Sequence, residues 1–420
     1  MKTIGSTPLP AGGRLPRNKG VRRLACVFAA GLLVTLGCRE DTTSPNAPEP
    51  APALATAGGS LSFRQVSAGS EHACGVTTDD RAYCWGAARF GQLGNGTSEG
   101  PDECVEANPC SVRPVAVLGG LHFLQVTTGN NHTCGVTTDN KVYCWGLNIE
   151  SQLGTFNIDS SLTPVPVSTS RRFRQVTAGY RHTCAISMTD LAFCWGRNQD
   201  GQLGDGTTAN HLPLQVAGGL HWRQLTAGYG HTCGLTTTNR AYCWGNNFAG
   251  RLGDGSTASS RIPVAVSGGI QFLQIDAGFA HTCAVNIGYR AYCWGSNQSG
   301  ALGDGTTVTR LTPTPVADTR RFEQVSAGVV YTCAVTRTGK GVCWGNNRAG
   351  QLGNGTTFRR ATPTPLAVAL QLAQVSAGAI FSCGVTTDAR AYCWGDNSLG
   401  ELGDGTTTRR LVPVAVAPPT

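Results

Sequence analysis

Charged side chains make up only 14% of this chain and aromatic ones 7%, with 2 methionines among 420 residues. So little charge excludes a solvated, disordered polyelectrolyte as the dominant design. Long hydrophobic runs are missing as well. The longest, Leu24 to Gly37 (LACVFAAGLLVTLG), covers 14 residues, short of the roughly 20 that a membrane-spanning helix needs. Neither H-E-x-x-H nor G-x-x-x-x-G-K-[ST] occurs, which removes the zinc-protease and phosphate-loop chemistries in their usual sequence forms. What the chain has in quantity is glycine, 56 residues, together with 21 prolines and 18 cysteines, a turn-rich composition that suits an all-β protein.

These residues recur with a period. The segment His231 to Thr257, HTCGLTTTNRAYCWGNNFAGRLGDGST, returns seven times, its first cysteine falling at Cys74, Cys134, Cys184, Cys233, Cys283, Cys333 and Cys383. A fixed period near 50 residues marks an architecture in which each unit buries its apolar face on a neighbour. Four short strand candidates fit each unit, seen in the fourth as HWRQLTAG, HTCGLTT, RAYCWG and IPVAV. The expected fold is therefore all-β, a seven-bladed β-propeller of four-stranded repeats spanning residues 61–420. Alternation along RAYCWG puts the Tyr/Trp pair on one face and Ala, Cys and Gly on the other, so we expect the large face of one blade to pack on the small face of the next. The predicted meeting point of the ring is residues 61–66 against residues 411–416.

The first sixty residues read differently. Residues 1–37 carry six basic side chains and no acid, which leaves +2 of the formal +8 for the remainder and removes the case for a nucleic acid partner. A basic start before a short apolar run reads as an export signal. The run ends at Cys38, and Leu36-Gly37-Cys38 resembles the lipobox of bacterial lipoproteins, which implies lipidation of Cys38. Residues 38–60, rich in Pro, Ala, Ser and Thr, read as an extended tether. The expectation is an exported chain in the cell envelope, on the outer membrane or cell surface, that touches the membrane only through a lipid anchor; plain secretion is the alternative.

Two cysteines ten residues apart stand in every unit: Cys74 and Cys84, Cys134 and Cys144, Cys184 and Cys194, Cys233 and Cys243, Cys283 and Cys293, Cys333 and Cys343, Cys383 and Cys393. A hairpin with a three-residue loop places each pair opposite on one face. Cys104 and Cys110 form an eighth pair inside an insertion of the first unit, residues 98–112 (SEGPDECVEANPCSV). An even count in an exported chain reads as disulfides; reduced small core residues are the alternative, and the spacing is not that of a zinc knuckle. No metal and no cofactor is expected. His72, His132, His182, His231 and His281 precede the first cysteine of their units by two residues, but Tyr331 and Phe381 fill that place in the last two, which favours packing over metal or catalysis.

The run AGYGHTC followed by CWGNNFAGRLGDG resembles the repeat of the regulator of chromosome condensation family. The characteristic asparagine stands at Asn148, Asn198, Asn247, Asn297, Asn347 and Asn397, and only Ala88 departs from it. That resemblance implies a seven-bladed propeller. A light-sensing branch of the family carries tryptophans where this chain has Tyr180, Tyr229 and Phe279, so the resemblance does not extend to photoreception. Family members that grip proteins on one face are the nearest functional analogy.

Two features break the sevenfold pattern. One is the acidic insertion with Asp102, Glu103 and Glu106. The other is a set of arginines before the last strand of units four to seven, Arg261, Arg310, Arg359, Arg360, Arg409 and Arg410, diluted by Asp254, Asp304 and Asp404. Constrained loops on rigid scaffolds carry recognition. The reading is a monomeric, non-enzymatic module that binds a protein or a cell-surface polymer. The alternative is an enzyme such as a carbohydrate-active hydrolase or lyase, whose paired acids would come from different units.

Overall fold

A three-residue turn sets the hairpin at the centre of every repeat. In the first, Thr77 N donates to Arg81 O at 2.8 Å, Asp80 N donates to Thr77 O at 3.1 Å, and Asp80 takes a φ of 68°. This is a tight turn closed by one left-handed residue, and Asp or Asn tolerates that conformation better than most. Asn140, Asp190 and Asn239 fill the same place, followed by Tyr289, Gly339 and Ala389. The turn fixes register, so Cys74 faces Cys84 directly, and the same holds in all seven hairpins. Seven cross-strand disulfides result, with Cys104–Cys110 as the eighth.

The computed structural model describes residues 60–420; the proposed export signal, Cys38 and nearly all of the tether lie outside them. Among the described residues, seven antiparallel sheets follow one another in chain order, six of four strands and the first of five. The fourth blade illustrates the order, with strands Trp222–Ala227, His231–Thr236, Ala241–Gly245 and Ser260–Ala265. The fifth strand of the first blade, Asp102–Glu103, belongs to the insertion and pairs with Pro109–Ala116, so this segment is a small hairpin added to the blade edge.

A β-bulge in the first strand of every blade decides what that strand buries. Between Phe63 and Gln65 the register shifts by one, and the shift repeats at Phe123, Phe173, Trp222, Phe272, Phe322 and Leu372. Strict alternation would put Phe63 and Gln65 on one face. With the extra residue, Phe63 joins Val66 and Ala68 in the hydrophobic cluster between blades, while Gln65 lines the central channel.

Large side chains do meet small ones between blades. Trp145 and Phe123 of the second blade pack on Cys74, Val76, Ala82 and Cys84 of the first, and equivalent clusters fill the other six junctions. The tryptophan of each Cys-Trp-Gly strand is fully buried, and its indole N–H donates to a carbonyl of the glycine-rich loop in the preceding blade, as Trp145 does to Gln92 O at 3.0 Å. That acceptor is a backbone atom, so Gln, Arg, Ala and Glu all serve at this loop position: Gln92, Arg251, Ala301 and Glu401 each receive one indole. The loop glycine beside the indole is constrained in two ways. Gly94 has a φ of 70°, and a Cβ there would lie 2.7 Å from the Trp145 nitrogen.

The recurrent asparagine organises the same loop. Asn297 Oδ1 accepts Leu302 N at 3.0 Å, while its amide donates to Asp304, to Thr306 and to Val308 O. The Asp of the Asp-Gly pair thereby spends Oδ1 on the loop itself, while Asp304 Oδ2 holds Arg310 of the last strand at 2.9 Å.

Among the described residues, no strand from the N-terminal side enters the last sheet. Residues 61–66 and 411–416 do meet, since Leu61, Val414 and Val416 pack with Phe63 and Val66. Closure is completed by polar contacts identical in kind to those between other blades, such as Trp85 Nε1 to Glu401 O at 2.8 Å.

Candidate functional site

The first strands of all seven blades line the axis, and three rings of side chains and backbone follow one another along it. The first ring consists of Gln65, Gln125, Gln175, Gln224, Gln274, Gln324 and Gln374. Gln65 Nε2 donates to Val126 O at 2.6 Å and its Oε1 accepts Val126 N at 3.0 Å, so the side-chain amide acts as one rung of strand pairing to the next blade. Five others make the same pair of bonds, among them Gln374, which makes it to Val66 and closes the circle. Gln125 makes the acceptor bond, to Val176 N at 3.3 Å. This ring is not among the expectations above, although [FWL]-x-Q-[VLI] recurs in all seven repeats and signals it.

The second ring carries Ser67, Thr127, Thr177, Thr226, Asp276, Ser326 and Ser376. Each accepts a backbone N–H of the following blade, for example Ser326 Oγ from Ala377 N at 3.0 Å and Asp276 Oδ2 from Ala327 N at 2.8 Å. Asp276 also accepts from Thr226 Oγ1 at 2.8 Å and Ser326 Oγ at 3.1 Å. Burial pushes its carboxyl above the ordinary aspartate range, against the pull of these hydrogen bonds.

The third ring is glycine: Gly69, Gly129, Gly179, Gly228, Gly278, Gly328 and Gly378. A Cβ on Gly278 would stand 2.3 Å from Gly328 O, and the same clash with the next blade's carbonyl recurs around the circle. None of these glycines has a positive φ, so absence of a side chain is the requirement. Above them the mouth opens with Ser70, Asn130, Tyr180, Tyr229, Phe279, Val329 and Ala379, and encloses about 170 Å³. Three consecutive blades contribute the aromatics. Tyr180 and Tyr229 are 4.2 Å apart between ring centroids, and Tyr229 and Phe279 are 4.1 Å apart. Arg251 extends the arc: its Nη1 donates to Phe279 O at 2.9 Å, and its guanidinium lies 5.7 Å from the ring of Phe248, which is 65% exposed.

The five histidines lie just behind this mouth, fully buried between blades. His72 Nε2 bonds Thr133 Oγ1 at 2.8 Å and His231 Nε2 bonds Thr282 Oγ1 at 3.0 Å, and each such threonine hydroxyl donates onward to the loop carbonyl that receives the tryptophan. Burial lowers the pKa of His72, His132 and His182 to about 3 and that of His281 to about 4, so the rings are neutral hydrogen-bonding spacers. No group of three metal-ligating side chains comes together among the described residues.

Because strands alternate in direction, the loop between the first and second strands and the loop between the third and fourth leave each sheet at the same end. The aromatic mouth, the insertion and the arginines therefore share one face of the ring. They do not converge. The insertion sits at the junction of the first and last blades, where Val105 N reaches Ser398 O at 3.3 Å. Asp102 caps its own hairpin by accepting Val112 N at 3.0 Å, Glu103 is exposed, and the Glu106 side chain lies outside what the structure describes. The arginines stand on or beside the outermost strands. Arg310 and Arg410 are held by Asp304 and Asp404 at 2.9 and 2.8 Å, whereas Arg261, Arg359, Arg360 and Arg409 are exposed. A continuous free cationic arc is thus not formed.

Gly96–Gly100 (GTSEG) has the spelling of a nucleophile elbow, but it lies in an irregular loop with neither a preceding strand nor a following helix. Asp276 is the one carboxylate lining the mouth among the described residues, so paired-acid chemistry is not assembled there.

Residues 102–420 match the RCC1-like domain, and residues 63–92 match the regulator of chromosome condensation (RCC1) repeat. Human RCC1 domain-containing protein 1 is 34% identical over 146 residues, which is 35% of this chain and 36% of that protein, so the match spans about a third of that curated relative. Among solved structures, human WBSCR16 superposes with a TM-score of 0.73 at 22% identity, covering 81% of this chain and 94% of the other. Prp20p of Saccharomyces cerevisiae, described with its binding properties to Gsp1p and histones, gives 0.70 at 19% identity over 85% and 88%. These two likenesses establish the propeller fold. With residues 102–420 inside one family match and the same blade chemistry repeated from residue 63 onward, the chain belongs to the RCC1-like domain family.

Proposed function

We propose that this chain is an exported, lipid-anchored propeller that binds a protein partner on the face carrying the aromatic mouth and the disulfide-closed insertion. The observation that carries this reading is the asymmetry of that face. A ring otherwise sevenfold in its glutamines, glycines and tryptophans departs from symmetry in the half-buried Tyr180 and Tyr229 and the exposed Phe279 of blades three to five and in the insertion of blade one. Rigid aromatic side chains on a preorganised scaffold lose little entropy on binding. Prp20p offers a precedent for protein binding on this fold, as an analogy.

Eight disulfides suit an oxidising compartment and support export. Lipidation of Cys38 and the tether of residues 38–60 would hold the ring away from the membrane by up to about 70 Å in a fully extended form. Replacing Cys38 with serine should move the protein from the membrane fraction to the soluble fraction; unchanged fractionation would remove the anchor.

Cross-linking capture from envelope extract tests the binding face, comparing the full chain with a variant that lacks residues 100–109 and carries Cys110→Ser. Since Ser111 and Ser260 occupy equivalent ladder positions, this deletion restores the loop length of the fourth blade. A specific protein captured by the intact chain and lost in the variant, or lost on Tyr229→Ala, supports the reading. Equal background from all three would end it.

A further inference from the structure

Asp276 is the one member of its ring that the architecture does not require. Six blades do the same structural work with a serine or threonine hydroxyl, accepting the next blade's N–H at similar distances. A carboxylate in that place brings a desolvated charge into the channel, and no basic side chain among the described residues hydrogen-bonds it. It stands three residues before Phe279, in the blade that ends the aromatic arc, and both line the same cavity of about 170 Å³. Two cations stand near the rim: Arg181 pairs with Glu150 at 3.3 Å and lies 5.5 Å from the Tyr180 ring, and Arg251 donates to the Phe248 and Phe279 carbonyls; neither hydrogen-bonds Asp276.

A single carboxylate at the base of a mouth walled on one side by three mutually tilted aromatic rings suits a compact organic cation, because the carboxylate neutralises its charge and the rings cover its apolar stem. We propose that the axial mouth is an ammonium socket, in which Asp276 and the Tyr180–Tyr229–Phe279 arc receive a lysine side chain of the protein partner. This rests on the binding-module reading above and names the anchor that reading lacks.

The probe is n-butylammonium, titrated into the full chain at neutral pH and followed by saturation-transfer NMR, with n-butanol as the neutral control. Asp276→Ser is the informative variant, since serine already fills this place in three blades and the fold should be preserved; an unchanged thermal melt verifies that. We expect saturable binding of the ammonium and not of the alcohol, weakened at least about tenfold by Asp276→Ser and several-fold by Tyr229→Ala. Binding that is non-saturable, or equal in Asp276→Ser, overturns the socket. The capture experiment separates the two claims. A partner still captured by Asp276→Ser and unaffected by n-butylammonium leaves the binding module standing and refutes the lysine anchor. Saturable n-butylammonium binding with no protein captured supports the socket and removes the partner.

Discussion

Trp294→Ala tests the packing on which the ring depends. Its indole is fully buried against Cys233, Leu235, Cys243, Leu252, Phe272 and Ile275, and its N–H donates to Arg251 O at 3.0 Å. Truncating a buried aromatic costs about 3–5 kcal/mol, as lost transfer energy plus the cavity left behind. The carbonyl would not be orphaned, because Thr282 Oγ1 also donates to it at 2.9 Å, so the hydrogen bond adds only about 1 kcal/mol. A rigid hairpin locked by Cys233–Cys243 on one side limits collapse, which places the expected loss near the upper end of that range. Guanidinium denaturation followed by far-UV circular dichroism, with the disulfides kept oxidised, measures it; Trp294→Phe, which retains most of the volume, should lose about 1–2 kcal/mol. A loss below about 1 kcal/mol for the alanine variant would mean that the junction repacks, and the large-on-small account of blade packing would fail.

Three further outcomes follow from the rings and the junctions. Glu401, buried beside Asp396 and Glu71 at ring closure, has its pKa raised to about 7, chiefly by desolvation. A carboxyl raised in the folded state contributes fully below its unfolded value near 4.5 and loses that contribution as pH climbs through 7. Glu401→Gln should therefore stabilise by about 3 kcal/mol at pH 8 and hardly at all at pH 4, and equal denaturation midpoints at pH 8 would contradict it. The five buried histidines work in the other direction. Their folded pKa values are depressed below 6.5, so the unfolded chain takes up protons that the folded rings refuse; stability is fully present above that value and falls toward pH 4, approaching about 1.4 kcal/mol per pH unit for each imidazole. A denaturation midpoint at pH 5 equal to that at pH 7 would show the rings to be unburied. Gly278→Ala, whose Cβ would press on Gly328 O at 2.3 Å, should cost about 1–3 kcal/mol and widen the mouth; a neutral melt would show that the glycine ring has slack.

Fold class was legible because it is written in periodicity, which needs no knowledge of contacts. Seven copies of the cysteine hairpin fixed the blade count, the ten-residue spacing fixed the cross-strand disulfides, and Tyr331 and Phe381 in place of histidine marked that position as packing. The insertion announced itself by breaking the period. The candidate site was less legible, since recognition features do not repeat. Arg310 and Arg410 belong to ion pairs with acids six residues away, a local closure that composition could not reveal.

The sequence by itself determined the repeat, the strand pairing within each blade and the partner of each described cysteine, because all of these depend on residues within one unit. Only the tertiary structure decided what happens across units. The bulge after Phe63 turns Gln65 inward against simple alternation, and closure brings Gln374 to Val66 and Gly378 to Gly69 from opposite ends of the ring. Tyr180, Tyr229 and Phe279, about fifty residues apart in turn, become one arc of tilted, touching rings, and Asp276 lines the same mouth. The physical reason is that neighbours on the axis are set by the curvature of the closed ring, and that curvature is a property of how the blades pack together, which no single repeat encodes.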